Sequence, residues 1–173
     1  MHTIEDQPAV GLCGSGLVDA VAAFLETGDI DETGAVEEDQ LALTDRVFLL
    51  PADIRAVQLA KGAIAAGIRT LLEQAKVSEA DIETLYIAGG FGSHLNTASA
   101  AAIGLIPREL ENRVKILGNS ALSGAASLLL DEKLVAEAEN LAQNAVHVTL
   151  SGNSRFNRHF MNAMLFGEDD IFE

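Results

Sequence analysis

Twice in this chain a short apolar run ends in glycine and a helix begins at once. Thr84-Leu85-Tyr86-Ile87-Ala88 runs into Gly89-Gly90-Phe91-Gly92-Ser93, and Val114-Lys115-Ile116-Leu117 runs into Gly118-Asn119-Ser120 and an apolar helix through Leu130. The β-branched and aromatic residues of both runs predict short buried strands, and Asn119 and Ser120 can cap the helix that follows the second. Strands that alternate with helices call for a layered α/β architecture. Glycine lets the backbone approach a ligand, and N–H groups at a helix start favour anions. In open α/β sheets ligands sit at the carboxyl ends of strands. Two such units could wall a nucleotide cleft from two sides. A tight strand-to-helix turn needs glycine with no ligand at all, so both readings stay open. The spacing Gly-x-Gly-x-x-Gly of a dinucleotide fold and the Gly-Lys-Ser/Thr of a P-loop are both absent.

The rest of the chain supplies helices. Residues 17–25 have apolar residues at helical spacing, with Ser15 as the expected N-cap and Gly28 as the stop. Residues 28–40 are polar and acidic and read as a loop, and residues 46–50 are β-prone up to Pro51. The longest helix opens at Pro51-Ala52-Asp53, with an apolar stripe of Val57, Ala60, Ile64, Ile68, Leu71, Leu72 and Ala75. Gly62 and Gly67 interrupt it, for close helix packing or for close approach to a ligand. Ser78 to Asp81 reads as a capped turn, residues 96–103 as a short helix closed by Gly104, and residues 131–145 as a further helix. Gly124, Ala125 and Ala126 offer a smooth face for tight helix packing. Val146 to Leu150 reads as a third strand, Ser154 to Phe166 as a final helix anchored by Phe156, Phe160 and Phe166, and residues 168–173 as a loose acidic tail.

Charge and cysteine content exclude several function classes. A formal charge of −15 without a Lys/Arg cluster argues against nucleic acid and against anionic membranes. No apolar run reaches the roughly 18 residues of a membrane span. A single cysteine, Cys13, builds neither a disulfide framework nor a multi-cysteine metal site, and a reducing cytoplasm fits best. Cys13 reads as a small buried hydrophobe. His2, His94, His147 and His159 lack metal-ligand spacing, although His94 adjoins the first glycine turn. Asp19, Asp53 and Asp81 lie at or near helix starts, where carboxylates suit the dipole. No catalytic residue and no metal ligand is assigned.

Six runs in series carry a resemblance that covers nearly the whole chain: GLCGSGLVDAVAAFLETGDID, VQLAKGAIAAGIRTLL, LYIAGGFGSHLN, IGLIP, ILGNSALSGA and the closing LSGNSRFNRHFMNAMLF. Together they resemble the C-terminal portion of reductive activators of corrinoid proteins, members of the sugar kinase, Hsp70 and actin superfamily. The resemblance implies a ribonuclease H-like, actin-like ATPase lobe over residues 1–166, a mixed sheet flanked by helices, with the acidic tail at 167–173. It implies ATP with Mg²⁺, an iron–sulfur cluster in a ferredoxin-like N-terminal domain, and a corrinoid methyl-carrier protein whose cobalt is returned from cobalt(II) to cobalt(I). By the same resemblance Gly89, Gly90, Phe91, Gly92 and Ser93 form the adenosine motif. Gln58 and Lys61 reach the nucleotide from the long helix, Gly118 and Asn119 form the opposite wall, and Ser15 between two glycines lies near phosphate or simply caps its helix.

The chain departs from the family's pattern in two respects. The Asp-Gly hairpins that clamp phosphates and Mg²⁺ are absent, as are the cluster cysteines. The sequence therefore reads as a piece of a longer protein, with no ATPase or redox activity alone and with part of a nucleotide site. A lobe of a related dehydratase or reductase activator fits less well, since those need lobe cysteines. A docking scaffold that binds its partners through an acidic face is the non-enzymatic alternative.

Overall fold

A helix, one short strand pair and a long helix precede the glycine-ended strands. The computed structural model describes Thr3 and residues 7–167; His2 and the acidic tail 168–173 lie outside the described residues. Helix α1 spans Gly14–Thr27 and stops at Gly28, in the left-handed region at φ 81°. Its N-cap is Cys13 and not Ser15: Cys13 is extended and its Sγ accepts from Gly16 N at 3.4 Å, while Ser15 falls inside the first turn. The acidic loop that follows is tied by Asp31, whose Oδ1 accepts from Thr33 N, Thr33 Oγ1 and Ala35 N at 2.8, 2.7 and 2.9 Å. Strands β1 (Leu41–Ala42) and β2 (Phe48–Leu49) pair antiparallel and deliver the chain to α2, Pro51–Ala75. Asp53 begins α2 by accepting from Leu50 N at 2.9 Å, as a carboxylate in the first turn should.

The face α2 buries differs from the expected stripe. Ile54, Val57, Gln58, Lys61, Gly62, Ala65, Ala66 and Thr70 are buried, whereas Ile64 and Leu71 are about half exposed at 49% and 50%. The inward side meets the last helix, α6 below, and the chain after it. At Gly62 a Cβ would stand 2.9 Å from the backbone oxygen of Ala163, so glycine serves close helix packing there. At Gly67 a Cβ would meet nothing nearer than Leu150 Cδ1 at 3.9 Å, an ordinary contact. Opposite outcomes follow for one chemical change. Gly62→Ala should destabilise by about 1–3 kcal/mol, because a backbone atom must give way, while Gly67→Ala should stabilise by up to about 1 kcal/mol from helix propensity. Urea unfolding of the two variants checks this; stabilisation by both would mean that the two helices do not pack tightly at Gly62.

Strand β3 (Leu85–Ala88), helix α3 (Thr97–Ala102) and strand β4 (Val114–Gly118) follow, and β3 and β4 pair in parallel. Arg113, at the entrance to β4, donates through Nη1 to the carbonyls of Glu79, Ala80 and Ile82 at 3.1, 3.2 and 2.6 Å. This fixes the start of β4 against the capped turn that leads to β3. Neither strand is the buried element the sequence suggested: Tyr86 is 58% exposed and Leu117 51%, because this sheet has two strands among the described residues and leaves these side chains open.

Helices α4 (Ser120–Leu130) and α5 (Lys133–Asn144) bury none of their residues. A Cβ at Gly124 would meet nothing within 4 Å among the described residues, and Ala125 and Ala126 are exposed, so the expected tight packing there is not made. Residues 146–150 form no strand, since no further strand lies beside them to supply hydrogen bonds. Helix α6 covers Ser154–Asn162, capped by Asn153. Phe156 and Phe160 stack at 6.0 Å, and Phe166 closes the core formed by α1, α3 and the start of α2.

Candidate nucleotide site

Parallel pairing brings the two glycine turns side by side at the carboxyl ends of β3 and β4. Gly89 N donates to Gly118 O at 2.7 Å, and a bulge after Ile87 brings Ala88 opposite Gly118. Gly89 and Gly118 have φ of 97° and 65°, which side chains rarely adopt. A Cβ at Gly89, Gly90 or Gly118 would find no protein atom within 4 Å. The three glycines present bare backbone outward. Gly92 is different: it is buried, and a Cβ there would overlap Cγ2 of Ile87, so this glycine serves the turn itself. Ser93 Oγ closes the turn on Gly89 O at 3.2 Å. Asn119 caps α4 by accepting from Leu122 N at 3.0 Å, which orients the helix start toward the same edge.

A third element joins from the start of the chain. A Cβ built on Gly14 would stand 2.8 Å from the Phe91 ring, so Gly14 admits that ring against the α1 N-terminus. Phe91, itself within the glycine turn, is still 51% exposed. Sequence reading singled out Gly14 and Phe91 separately; only the fold shows that one makes room for the other. Cys13, beside Gly14, is exposed rather than buried. The hydroxyl of Ser15 and the amide of Gly16 hold its thiol pKa below the ordinary value. His94 is exposed at the end of the turn, and Asp19 lies in the second turn of α1 rather than at its start.

Gln58 and Lys61 are placed elsewhere. Both are 2% exposed. Gln58 Nε2 donates to Thr33 O and Met164 O at 2.8 and 2.9 Å. Lys61 Nζ donates to Leu165 O and lies 5.2 Å from the centre of the Phe166 ring. Their donors are thus engaged in holding the loop at Thr33 and the segment after α6. The spacing Ile54, Gln58, Lys61, Ala65 is one helical face and was the signal that these two polar residues point inward.

Burial, and secondarily the charge of Arg69, pushes the Lys61 pKa down from 10.5 to about 8. Between those values the unfolded chain binds a proton that the folded chain does not, so stability should rise with pH across that window. The difference corresponds to roughly 3 kcal/mol at most. Unfolding midpoints at pH 7.5, 9 and 10 check this, with Lys61→Met expected to flatten the rise; an equal rise in that variant would remove Lys61 as its source.

Two concavities of about 280 and 450 Å³ lie away from the glycine turns, the first along the start of α1 and β2, the second between α1 and α3. Neither is lined by a residue of the glycine turns. The glycine edge itself is an open surface, as one wall of a cleft would be. Among the described residues no three His, Cys, Asp or Glu side chains gather as metal ligands, and no helix is long and apolar enough to cross a membrane.

Comparison with known proteins places the chain in a family. Residues 1–173 match the family of the C-terminal domain of RACo, the ASKHA domain. A corrinoid activation enzyme, RamQ, of Eubacterium limosum is 29% identical over 92% of this chain and 32% of its own length. The [Co(II) methylated amine-specific corrinoid protein] reductase of Methanosarcina barkeri is 26% identical over 88% of this chain and 28% of its own. The solved structure of a reductive activator for a corrinoid, iron–sulfur protein superposes with a TM-score of 0.82 at 33% identity, over 92% of this chain and 29% of that one. The chain thus spans about a third of the length of these relatives.

Proposed function

This chain belongs to the family of RACo C-terminal ASKHA domains, and from that premise we propose that it is the nucleotide-binding lobe of an ATP-dependent reductive activator that returns corrinoid cobalt(II) to cobalt(I). The observation that carries the reading is the Gly89–Gly118 hydrogen bond, which locks two strand–glycine turns into one backbone edge at the carboxyl ends of parallel strands. Gly89 and Gly90 would lie under the adenosine, with the open face of Phe91 for the base. Gly118 and Asn119 would wall the other side, where the start of α4 favours negative charge. Bound ATP supplies the free energy for an uphill electron transfer. Gln58 and Lys61 act in this reading by anchoring the lobe, not by touching nucleotide.

The iron–sulfur centre belongs to other parts of a longer polypeptide, because one cysteine cannot supply the usual four-ligand set. The partner is a corrinoid protein of the kind the relatives' names describe. One wall of a two-walled cleft should bind weakly. Calorimetric titration of the chain with MgATP and MgADP is expected to give Kd of about 0.1–1 mM, or roughly −4 to −5.5 kcal/mol. No heat at millimolar nucleotide would sink the claim that this lobe carries a working part of the site.

A further inference from the structure

Gly14 is the first residue of α1, and its backbone is not in the left-handed region that asks for glycine. Alanine favours a helix more, so the missing side chain needs a spatial reason. The Phe91 ring supplies it. A Cβ at Gly14 would stand 2.8 Å from both Cδ2 and Cε2 of that ring, well inside a carbon–carbon contact of about 3.5–4 Å. Gly16 shows no such crowding, since a Cβ there would meet Cys13 Sγ and Leu12 Cδ2 at 3.4 and 3.6 Å.

Both partners of this contact are anchored. Helix α1 buries Val18, Ala20 and Val21, which ties its first turn to the core. Phe91 has helical backbone angles, φ −60° and ψ −47°. The turn around it is held by Ser93 Oγ on Gly89 O at 3.2 Å and by Gly92 against Ile87. The ring itself is 51% exposed, so the turn alone leaves it a choice of staggered rotamers.

We propose that Gly14 is a positioning residue of the nucleotide site: the bare backbone of the first turn of α1 seats the Phe91 ring where it receives the adenine base, and a methyl group at position 14 drives the ring off that place. This rests on reading the glycine edge as the adenosine site. It gives α1, which belongs to neither strand–glycine unit, a share in holding the base rather than the phosphates. Gly14 acts only through Phe91.

NMR titration of the chain with MgATP and with adenosine tests this, the Phe91 ring signals being assigned by their loss in Phe91→Leu. The ring is expected to show a nuclear Overhauser contact to Gly14 Hα in the free chain and to shift with either ligand. Gly14→Ala should keep the parent's unfolding midpoint, because what must give way is the end of a half-exposed side chain. It should bind both ligands about fivefold or more weakly, by the same factor, the scale of base stacking on an aromatic ring. In the Phe91→Leu background the same change should cost no further affinity. Affinity equal to the parent's in Gly14→Ala overturns the proposal. So does a loss confined to MgATP, which would set position 14 against the phosphates, and so does an equal loss in the Phe91→Leu background. If Gly14→Ala fails to fold, Phe91→Leu decides: adenosine binding as tight as the parent's overturns the proposal. Absence of any shift at the glycine edge with either ligand sinks the nucleotide reading itself, whereas binding there that is indifferent to position 14 sinks this proposal alone.

Discussion

Gln58→Ala is expected to lower the unfolding free energy by about 3 kcal/mol, and the melting temperature by roughly 5–12 °C for a chain of this size. The side chain is 2% exposed and gives both carboxamide hydrogens to carbonyls far away in sequence, Thr33 O and Met164 O. Each carbonyl left without a donor in the interior costs about 1–3 kcal/mol, and the cavity adds to that. Gly34 shows how closely the site is built: a Cβ there would come 2.5 Å from the carboxamide, and its φ of 80° excludes most side chains. Gln58→Met keeps most of the volume and removes the donors, so it isolates the hydrogen bonds from the cavity. A Met variant as stable as the parent would show that the bonds contribute nothing. Amides of residues 163–167 should exchange faster in both variants, because the segment then leans on Lys61 to Leu165 O, Phe166 N to Glu32 O at 2.8 Å and local bonds back to α6.

The same residue shows where a sequence stops being informative. Gln58 and Lys61 were expected at the nucleotide because the family resemblance lays the long helix along it. Which side of α2 faces inward is decided by what packs on it, and the partner, the segment after α6, lies about a hundred residues away. The glycine turns were legible because their cause is local: a strand that ends and a helix that begins at once leave few backbone paths. The cap at Asn119 was legible for the same reason. The hydrogen bond from Gly89 to Gly118 was not, since it depends on register between strands. Nor was the role of Arg113, whose three carbonyl acceptors only the fold brings together. Residues 146–150 misled because alternating apolar residues describe a strand's faces but do not supply its neighbour.

Replacing Gly90 should separate the site from the scaffold. Position 90 lacks positive φ, and a Cβ there meets no protein atom within 4 Å. Gly90→Trp should therefore fold with a midpoint within about 0.5 kcal/mol of the parent, the range of surface substitutions away from special features. If adenosine lies on this backbone, the indole occupies its place, and nucleotide affinity should fall at least tenfold, by about 1.4 kcal/mol or more. Gly92→Ala makes the opposite case. Its methyl would overlap Ile87, so β3 and the turn must shift at a cost of about 1–3 kcal/mol, and any loss of binding there would follow from loss of structure. The pair is read by calorimetry beside thermal unfolding. A Gly90→Trp chain that folds and binds as the parent does would move the adenosine off the turn, leaving the edge between Gly118 and α4 as the part of the site this lobe contributes.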